Sequence, residues 1–263
     1  MENLTQATPV ELRKLYRDAL LSKPTSGLAP GYVQANLVVL PKALAYDFLL
    51  FAQRNPKPCP ILDVTELGSF EPRLVAPGAD LRYDIPRYRV YKDGELSAEV
   101  SDLEAYWRDD MIGFLIGCSF TFETAFLRNG IPVRHIEEDH AVPMYITNLE
   151  CTPAGAFSGP MVVSMRPVPE PMLARAVQIT SRTPLAHGAP VHIGSPRRIG
   201  INDIDKPDFG EPVAIRPGEV PVFWACGVTP QAVAMRSKPA TMLTHVPGHM
   251  FICDLRDEDL AVI

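Results

Sequence analysis

The chain has 263 residues, of which 46% are hydrophobic and 21% charged, and its formal net charge is −6 at pH 7. That length and composition suit a globular protein with a sizeable core, and an acidic chain without clustered Lys and Arg argues against a nucleic-acid-binding surface. No apolar stretch approaches the roughly 20 residues that cross a bilayer, and the N-terminus lacks the apolar segment of a secretory signal, so we expect a cytoplasmic protein with no membrane partner.

The first part of the chain predicts two helices, a strand and a hairpin. A capping threonine followed by proline predicts a helix over residues 9–21, where apolar residues recur at helical spacing. The segment KALAYDFLLFAQRNP, residues 42–56, predicts a buried helix that ends before its proline, and CPILDVTE, residues 59–66, predicts a short strand. An Asp-Gly pair between alternating flanks predicts a two-stranded hairpin over residues 87–100.

The remaining elements predict an α/β fold. The segment DDMIGFLIGCSFTFETAFLRNG, residues 109–130, predicts a strand buried on both faces, a turn and a helix, and EVPVFWACGVTPQAVAMRS, residues 219–237, repeats that arrangement. The segment between them predicts a ββαβ series that can close as two layers. We therefore expect a mostly parallel sheet with helices on both faces, formed by residues 1–138 and 216–263, and an inserted smaller two-layer α+β domain over residues 139–215.

Two thiol-bearing turns stand at equivalent places in these strand-turn-helix units. When the sequences of the two turns are aligned, four pairs of residues correspond: Cys118 with Cys226, Thr121 with Thr229, Glu123 with Gln231, and Ala125 with Val233. A true internal duplication and a coincidence of capping chemistry both explain a match this short. Since both turns leave the carboxyl ends of predicted sheet strands, and unpaired N–H groups at a helix start favour anions, we expect one cleft for a carboxylate or phosphate.

Four residues are candidates for proton transfer. A helix N-terminus stabilises a thiolate, so Cys118 and Cys226 are the cysteines whose placement predicts reactivity, and two thiols on opposite sides of one carbon could remove and return a proton, as in cofactor-independent racemases. The alternative is that each is a small core residue. His245 and His249 flank a Pro-Gly turn and, without a third ligand at a recognisable spacing, favour general acid–base chemistry over a metal site. The five cysteines are an odd, scattered set, so we expect no disulfide framework.

The predicted binding groups lie beside the turns and at the end of the second helix. Arg54 offers a planar fork for a carboxylate and Lys57 a compact charge, although basic residues are also usual at a helix C-terminus. Seven other polar residues complete the predicted binding set: Asn36, Asn55, Ser119, Thr121, Arg166, Thr229 and Gln231. His187 and His192, each near a glycine, are candidates either for ligand contact or for turn histidines bound to backbone. The chain has no nucleotide, zinc-protease or esterase motif, so we expect no cofactor and no metal.

Nine motifs resemble those of one family, and the similarity runs from about Tyr32 to Asp254. The motifs are GYVQANLVVLP, FAQRNPKPCPILDV, DIPRYRVYKDGEL, FLIGCSFTFE, VPMYITN, GPMVVSMRP, HGAPVHIG, VPVFWACGVTPQ and THVPGHM. The family is the one named "putative hydro-lyase", which is similar to the mitochondrial D-glutamate cyclase of vertebrates. The resemblance implies a two-domain α/β architecture and a lyase that eliminates water, the cyclisation of D-glutamate to 5-oxo-D-proline being the activity of the mitochondrial relative.

The sequence and the resemblance together predict a hydro-lyase for a small acidic amino or hydroxy acid that works without a cofactor. The helix N-termini at the two turns, with Arg54 or Arg166, would hold the carboxylates, and His245 or His249 would move protons. A two-cysteine racemase or epimerase, and a carboxylate-binding protein without chemistry, are the alternatives. We expect a small-molecule carboxylate substrate and no nucleic-acid partner; whether the chain forms a homo-oligomer is left open.

Overall fold

The first sheet is built around β1 (Tyr32–Pro41), in which every residue between the two ends is buried. The computed structural model describes residues 4–262. Six further strands complete this sheet: β2 (Ile61–Val64), β3 (Tyr88–Lys92), β4 (Glu95–Val100), β5 (Met111–Gly117), β10 (Met242–His245) and β11 (Phe251–Arg256). Their order is β2-β5-β1-β10-β3-β4, and β11 also pairs with β1, beyond the end of β10.

The second sheet has four strands, β6 (Met144–Glu150), β7 (Pro160–Pro169), β8 (His192–Ile193) and β9 (Glu219–Ala225). Their order is β6-β7-β9-β8. Successive residues of a strand point to opposite faces. Accordingly, Phe223 of β9 packs in a cluster on one face of the sheet, and the next residue, Trp224, packs in a different cluster on the other face.

The prediction of a mostly parallel sheet is wrong, although the mixture of helices and strands is confirmed. Every strand pair within residues 4–262 is antiparallel. The apolar run of β5 indicates that both faces of the strand are buried, and burial alone does not determine whether its neighbours are parallel or antiparallel. Here helices and loops cover an antiparallel strand on both faces. The expectation that the strand before Cys226 lies in the first sheet is also wrong, since β9 pairs with β7 and β8. The division into residues 1–138 with 216–263, and 139–215, stays a prediction.

The helices follow local sequence signals closely. Within residues 4–262 the α-helices are α1 (Pro9–Arg17), α2 (Lys42–Arg54), α3 (Phe120–Arg128), α4 (Arg134–Glu137), α5 (Leu173–Ser181) and α6 (Thr229–Ser237). A capping box between Thr8 and Glu11 begins α1. This helix ends before the predicted residue 21, because the chain turns at Ala19, where φ is 54°. Over residues 4–262, no helix combines the length and the apolar character that a bilayer crossing needs.

The predicted hairpin is confirmed. Asp93 and Gly94 join β3 to β4, with φ values of 51° and 79°. Two successive positive φ values are those of the tight turn that Asp-Gly pairs favour, and its twist matches that of the flanking strands. The signal was reliable because it is carried by neighbouring residues alone.

The two sheets repeat one arrangement of strands and helices. β1 and β7 each have ten residues and end in proline, and β5 and β9 each have seven residues and pair antiparallel with them. The registers agree, since the fourth residue of each long strand faces the last residue of its partner: Ala35 faces Gly117, and Val163 faces Ala225. A cysteine and then a nine-residue helix follow both shorter strands. This agreement favours internal duplication over a coincidence of capping chemistry.

The helices that follow the two turns cross between the sheets. Phe122 and Phe126 belong to α3, which leaves the first sheet, yet they pack against Trp224 of the second sheet. Val233 and Ala234 belong to α6, which leaves the second sheet, yet they pack in the cluster formed by the first sheet and α2. This exchange of helices brings the two thiol-bearing turns to the junction of the sheets.

Candidate functional site

The two thiols lie together but are buried. Cys118 and Cys226 belong to one apolar cluster, and each is 6% exposed. Backbone N–H groups at the helix starts, from Phe120 for Cys118 and from Val228 for Cys226, lower the thiol pKa values, as expected at a helix N-terminus. Burial acts more strongly, raising the pKa of Cys226 to about 11 and that of Cys118 well above its ordinary value. Both thiols are therefore protonated at neutral pH.

Asn36 of β1 connects the two turns. Its Nδ2 donates a hydrogen bond of 2.8 Å to the carbonyl oxygen of Gly117, the residue before Cys118. The same amide lies against Gly227, the residue after Cys226, where an added Cβ would stand 1.9 Å from Nδ2. Only glycine at 227 allows this approach, so the sequence Cys-Gly in the second turn has a packing reason.

A buried ionic network lies next to the first turn. Arg166 of β7 is completely buried, and its guanidinium donates hydrogen bonds to the carboxylate of Glu123 on α3 and, at 3.0 Å each, to the hydroxyls of Ser119 and Ser164. The Nε2 atom of His135, at the start of α4, lies 3.3 Å from Oε1 of Glu123. One carboxylate thus holds an arginine from the second sheet and a histidine from α4.

Opposing effects set the charge of Glu123. Burial acts to raise the pKa of its carboxyl, but the interactions with His135 and with the guanidinium of Arg166 together outweigh burial, so the pKa lies below its ordinary value. Glu123 and Arg166 therefore form an ion pair at neutral pH. A carboxylate that faces Nε2 of a histidine fixes the ring and favours a proton on that nitrogen. The hydroxyl of Ser26, which lines a cavity beside this ring, also stands 3.5 Å from Nε2.

A cavity of about 400 Å³ opens over His135. Its wall includes Lys23 and Ser26 from the loop before β1, Phe120 at the start of α3, and Glu211. The ring of Phe120 stacks on His135, with 6.1 Å between ring centroids, and the same residue packs in the thiol cluster. The cavity is of a size that holds a small metabolite, and its charged wall and titratable floor are features of a binding or catalytic site.

Thr25 fixes the loop that carries Lys23 and Ser26. This threonine is completely buried; its N–H donates to the carbonyl of Gly248, and its hydroxyl accepts from the N–H of Met250 at 3.0 Å. Gly248 itself lines the cavity. The loop before β1 and the loop before β11 are therefore held together at the mouth of the cavity.

Several residues predicted from the sequence meet near this junction, but their hydrogen bonds are structural. Thr121 accepts a hydrogen bond from the N–H of Gln34, and Thr229 donates to the carbonyl of Cys226 at 2.7 Å. Gln231 donates to the carbonyl of His245 at 3.0 Å and accepts from the hydroxyl of Tyr91. The hydroxyl and amide residues of the two turns thus brace the turns. Their predicted roles as ligands stay predictions.

The three predicted ligands at the end of α2 lie elsewhere. Arg54 donates to the carbonyl of Pro153 at 2.5 Å, Asn55 exchanges two hydrogen bonds with Thr152, and Lys57 donates to the carbonyl of Ala189 at 2.6 Å. These bonds tie the helix end to segments on either side of β7. Among residues 4–262, the residues that line the cavity over His135 include none of these three.

The two C-terminal histidines differ in their surroundings. His245 is 1% exposed, its Nδ1 accepts the N–H of Leu37 at 3.1 Å, and burial lowers its pKa to about 3. Its Nε2 is buried and has no partner among residues 4–262. His249 is less buried, and burial also lowers its pKa. It follows Gly248, so it is the nearer of the two to the cavity wall in sequence.

The sequence reasoning missed His135 and the central part played by Glu123. Each charge of the network sits in an otherwise apolar segment, Glu123 in FTFETAF and Arg166 in VVSMRPV. A charge in a buried run requires a partner, so these two segments carried a signal for an ion pair. Within residues 4–262, His, Cys, Asp and Glu form no cluster of three or more that could hold a metal ion.

Comparison with known proteins identifies the family. A family model described as D-glutamate cyclase matches residues 112–254. A protein of Thermoanaerobacter sp. strain X514 named "Putative hydro-lyase" is 68% identical over 259 residues, which are 98% of each chain. A Bacillus subtilis strain 168 protein, also named "Putative hydro-lyase", is 63% identical over 255 residues, covering 97% of this chain and 99% of that one.

Among solved structures, a nitrogen repressor-like protein from Methanococcus jannaschii aligns over 97% of both chains with 13% identity and a TM-score of 0.41. That score is too low to carry an argument about fold. The sequence relatives are decisive, since they match at high identity over almost the full length of both partners. The resemblance predicted from the nine motifs is confirmed, and the chain belongs to the D-glutamate cyclase family.

Proposed function

We propose that the chain is a hydro-lyase that acts on a small acidic amino or hydroxy acid in the cavity over His135. The reaction to test first is the cyclisation of D-glutamate to 5-oxo-D-proline and water, which the name of the family suggests. The names of the relatives agree with a lyase that eliminates water. Membership of the family supports the class of reaction, and the site supports the place where it occurs.

The observation that carries the proposal is the chain of contacts from the cavity to His135, Glu123 and Arg166. In the cyclisation, the amino nitrogen attacks the side-chain carboxyl carbon, so that one C–N bond forms, one C–O bond breaks and water leaves. His135 accepts a proton from the ammonium group, which makes the nitrogen nucleophilic, and passes it to the carboxylate oxygen that will leave. After the attack it carries the second N–H proton to the same oxygen, which then departs as water. Glu123 orients the ring and stabilises its protonated form, and Arg166 holds Glu123 in place.

Charges on the wall suit a substrate that is both anionic and cationic. The ammonium group of Lys23 can pair with a substrate carboxylate, and the carboxylates of Asp139 and Glu211 can pair with a substrate ammonium group. A dicarboxylic amino acid carries both kinds of charge. The cavity wall therefore supports an amino acid at least as well as a hydroxy acid.

The test compares two histidines that line the same cavity. His135→Gln removes the proposed proton carrier, whereas His140→Gln removes a ring whose Nδ1 lies 2.9 Å from the carbonyl of Pro212. Formation of 5-oxoproline from each enantiomer of glutamate, and water loss from acidic hydroxy acids, is followed by chromatography. We expect His135→Gln to lower kcat by about 10²- to 10⁴-fold and His140→Gln to change it little. Equal losses in both variants would refute the role of His135, and binding without turnover in the wild type would favour a carboxylate-binding protein.

A two-cysteine racemase is the second candidate, because Cys118 and Cys226 do lie in one cluster. Their raised pKa values oppose it, since a racemase needs a thiolate at neutral pH. Replacement of either cysteine by serine should abolish exchange of the substrate α-proton in deuterated water if this candidate is right. Exchange that persists in both serine variants excludes it.

A further inference from the structure

A second cleft lies further along α3, beside residues that do not line the cavity over His135. It has a volume of about 260 Å³ and is bounded by three segments. Thr124 and Arg128 of α3 form one wall, Arg182 and Thr183 just after α5 form the second, and Asp257 just after β11 forms the third. Phe120 lines the first cavity, whereas Thr124 and Arg128, one and two turns further along the same side of α3, line this cleft, and among residues 4–262 the two spaces share no lining residue.

The cleft presents groups that recognise an anion. Two guanidinium groups, from Arg128 and Arg182, each offer planar N–H donors that match a carboxylate. Carboxylates on the same wall, from Asp257 and Glu258, balance the two positive charges when both are ionised. Binding of an anion is therefore sensitive to the protonation of these acids.

Asp257 is the acid whose surroundings oppose ionisation. Its Oδ1 is buried and has no hydrogen-bond partner among residues 4–262. Burial raises the pKa of the carboxyl to about 7, although Thr124 and the charges of Arg128 and Arg256 lower it; the charge of Glu258 adds to the rise. Below that pH the carboxyl is neutral, carries a proton that it can donate, and leaves the cleft with a net positive charge.

We propose that this cleft is a second binding site, separate from the cavity over His135, and that it takes a small carboxylate. The ligand carboxylate pairs with the guanidinium groups of Arg128 and Arg182. Protonated Asp257 donates an O–H hydrogen bond to it, as one carboxyl group does to another when the two share a proton. The binding equilibrium is thus coupled to one proton on Asp257.

The test is a calorimetric titration of the full chain with propionate, and with propionamide as a neutral ligand of the same shape. It is done in the Lys23→Gln background, because Lys23 is the group proposed to pair with a substrate carboxylate in the first cavity. We expect propionate to bind, propionamide to bind at least tenfold more weakly, and the affinity for propionate to fall about tenfold per pH unit above pH 7.

Two variants localise the effect. Asp257→Asn keeps the shape and a donor but cannot ionise, so propionate should bind with the same affinity at pH 6 and pH 8. Arg128→Gln, at an exposed position, should weaken binding about tenfold or more at every pH while leaving the unfolding temperature almost unchanged. A pH dependence that survives in Asp257→Asn, or equal affinity for propionamide, overturns the proposal. Because binding is the only readout, the result does not depend on the proposed lyase activity.

Discussion

At the scale of single residues, burial decides the chemistry of the thiols. All five cysteines are buried, with exposures between 0% and 6%, and burial raises the pKa of each. Reaction with a disulfide reagent requires both access and a thiolate. We therefore expect none of the five to react with Ellman's reagent on the timescale of minutes in the native protein, and all five to react in denaturant. A thiol that reacts quickly under native conditions would contradict this and would revive the two-cysteine mechanism.

Two buried histidines predict a loss of stability in acid. Burial lowers the pKa of His187 to about 4 and that of His245 to about 3, below the ordinary value of 6.5. As the pH falls below 6.5 the unfolded chain binds protons at both residues while the folded chain does not, so the free energy of unfolding decreases. Each histidine contributes up to about 1.4 kcal/mol per pH unit below pH 6.5, until its folded pKa is reached.

Urea unfolding between pH 7 and pH 5 measures this effect. His245→Gln should make the free energy of unfolding less dependent on pH, by the amount that one proton contributes to the slope. Identical slopes in the wild type and in His245→Gln would show that His245 is not the group responsible.

The sequence could place the turn residues but not their environment. Cys118 and Cys226 were found because a strand end, a thiol and a capped helix start are neighbours in the chain. Their reactivity was judged from the helix start alone, and the desolvation that outweighs it comes from residues of distant segments such as Met144 and Met250. His135 was missed for the same reason, since its partner Glu123 lies on a different helix.

At the scale of elements, the contact between the two turns depends on one glycine and one amide. Gly227→Ala places a methyl group 1.9 Å from Nδ2 of Asn36, which is buried and cannot move away freely. We expect the substitution to destabilise the fold by about 2–4 kcal/mol. Asn36→Ala alone loses hydrogen bonds to the backbone of β5 and should cost about 1–3 kcal/mol.

The double variant separates a clash from a general loss of packing. Asn36→Ala makes room for the new methyl group, so the two substitutions together should destabilise less than the sum of the single changes, by at least about 1 kcal/mol. Denaturant unfolding of the four proteins gives the coupling energy. Simple additivity would mean that the two turns do not depend on this contact.

The sequence predicted the turns and helix starts that depend on neighbouring residues, but it did not predict how the strands pair with one another. The hairpin at Asp93 and Gly94 and the start of α1 at Pro9 depend on neighbouring residues, and both are confirmed. The direction of β5 relative to β1 depends on the path of the chain between the two strands. The apolar pattern of β5 carries no information about that path. The same limit applies to β9, whose pattern is that of a buried strand whichever sheet it joins.

At the scale of the whole molecule, duplication and exchange of helices explain why the site lies at the junction of the sheets. Each repeat ends in a thiol turn, and its following helix packs on the other sheet, through Phe122 in one direction and Val233 in the other. The two repeats differ at the aligned pair Glu123 and Gln231. The carboxylate of Glu123 binds Arg166 and His135, whereas the amide of Gln231 braces β10, so only one repeat carries the buried ionic network.

Exchange of helices also predicts that the two sheets unfold together. The chain has two tryptophans, and they report on different sheets: Trp107 packs against the core of the first sheet, and Trp224 is buried in the second. Removal of either sheet would expose the helix that the other sheet contributes, so neither is stable alone. Trp107→Phe and Trp224→Phe each leave one tryptophan as a reporter, and circular dichroism measures how far each substitution changes the stability. After correction for that change, we expect the two fluorescence transitions to occur at the same urea concentration. Two separate transitions would instead show that the two sheets unfold independently, because Trp224 in the second sheet would then change its fluorescence at a different urea concentration from Trp107 in the first.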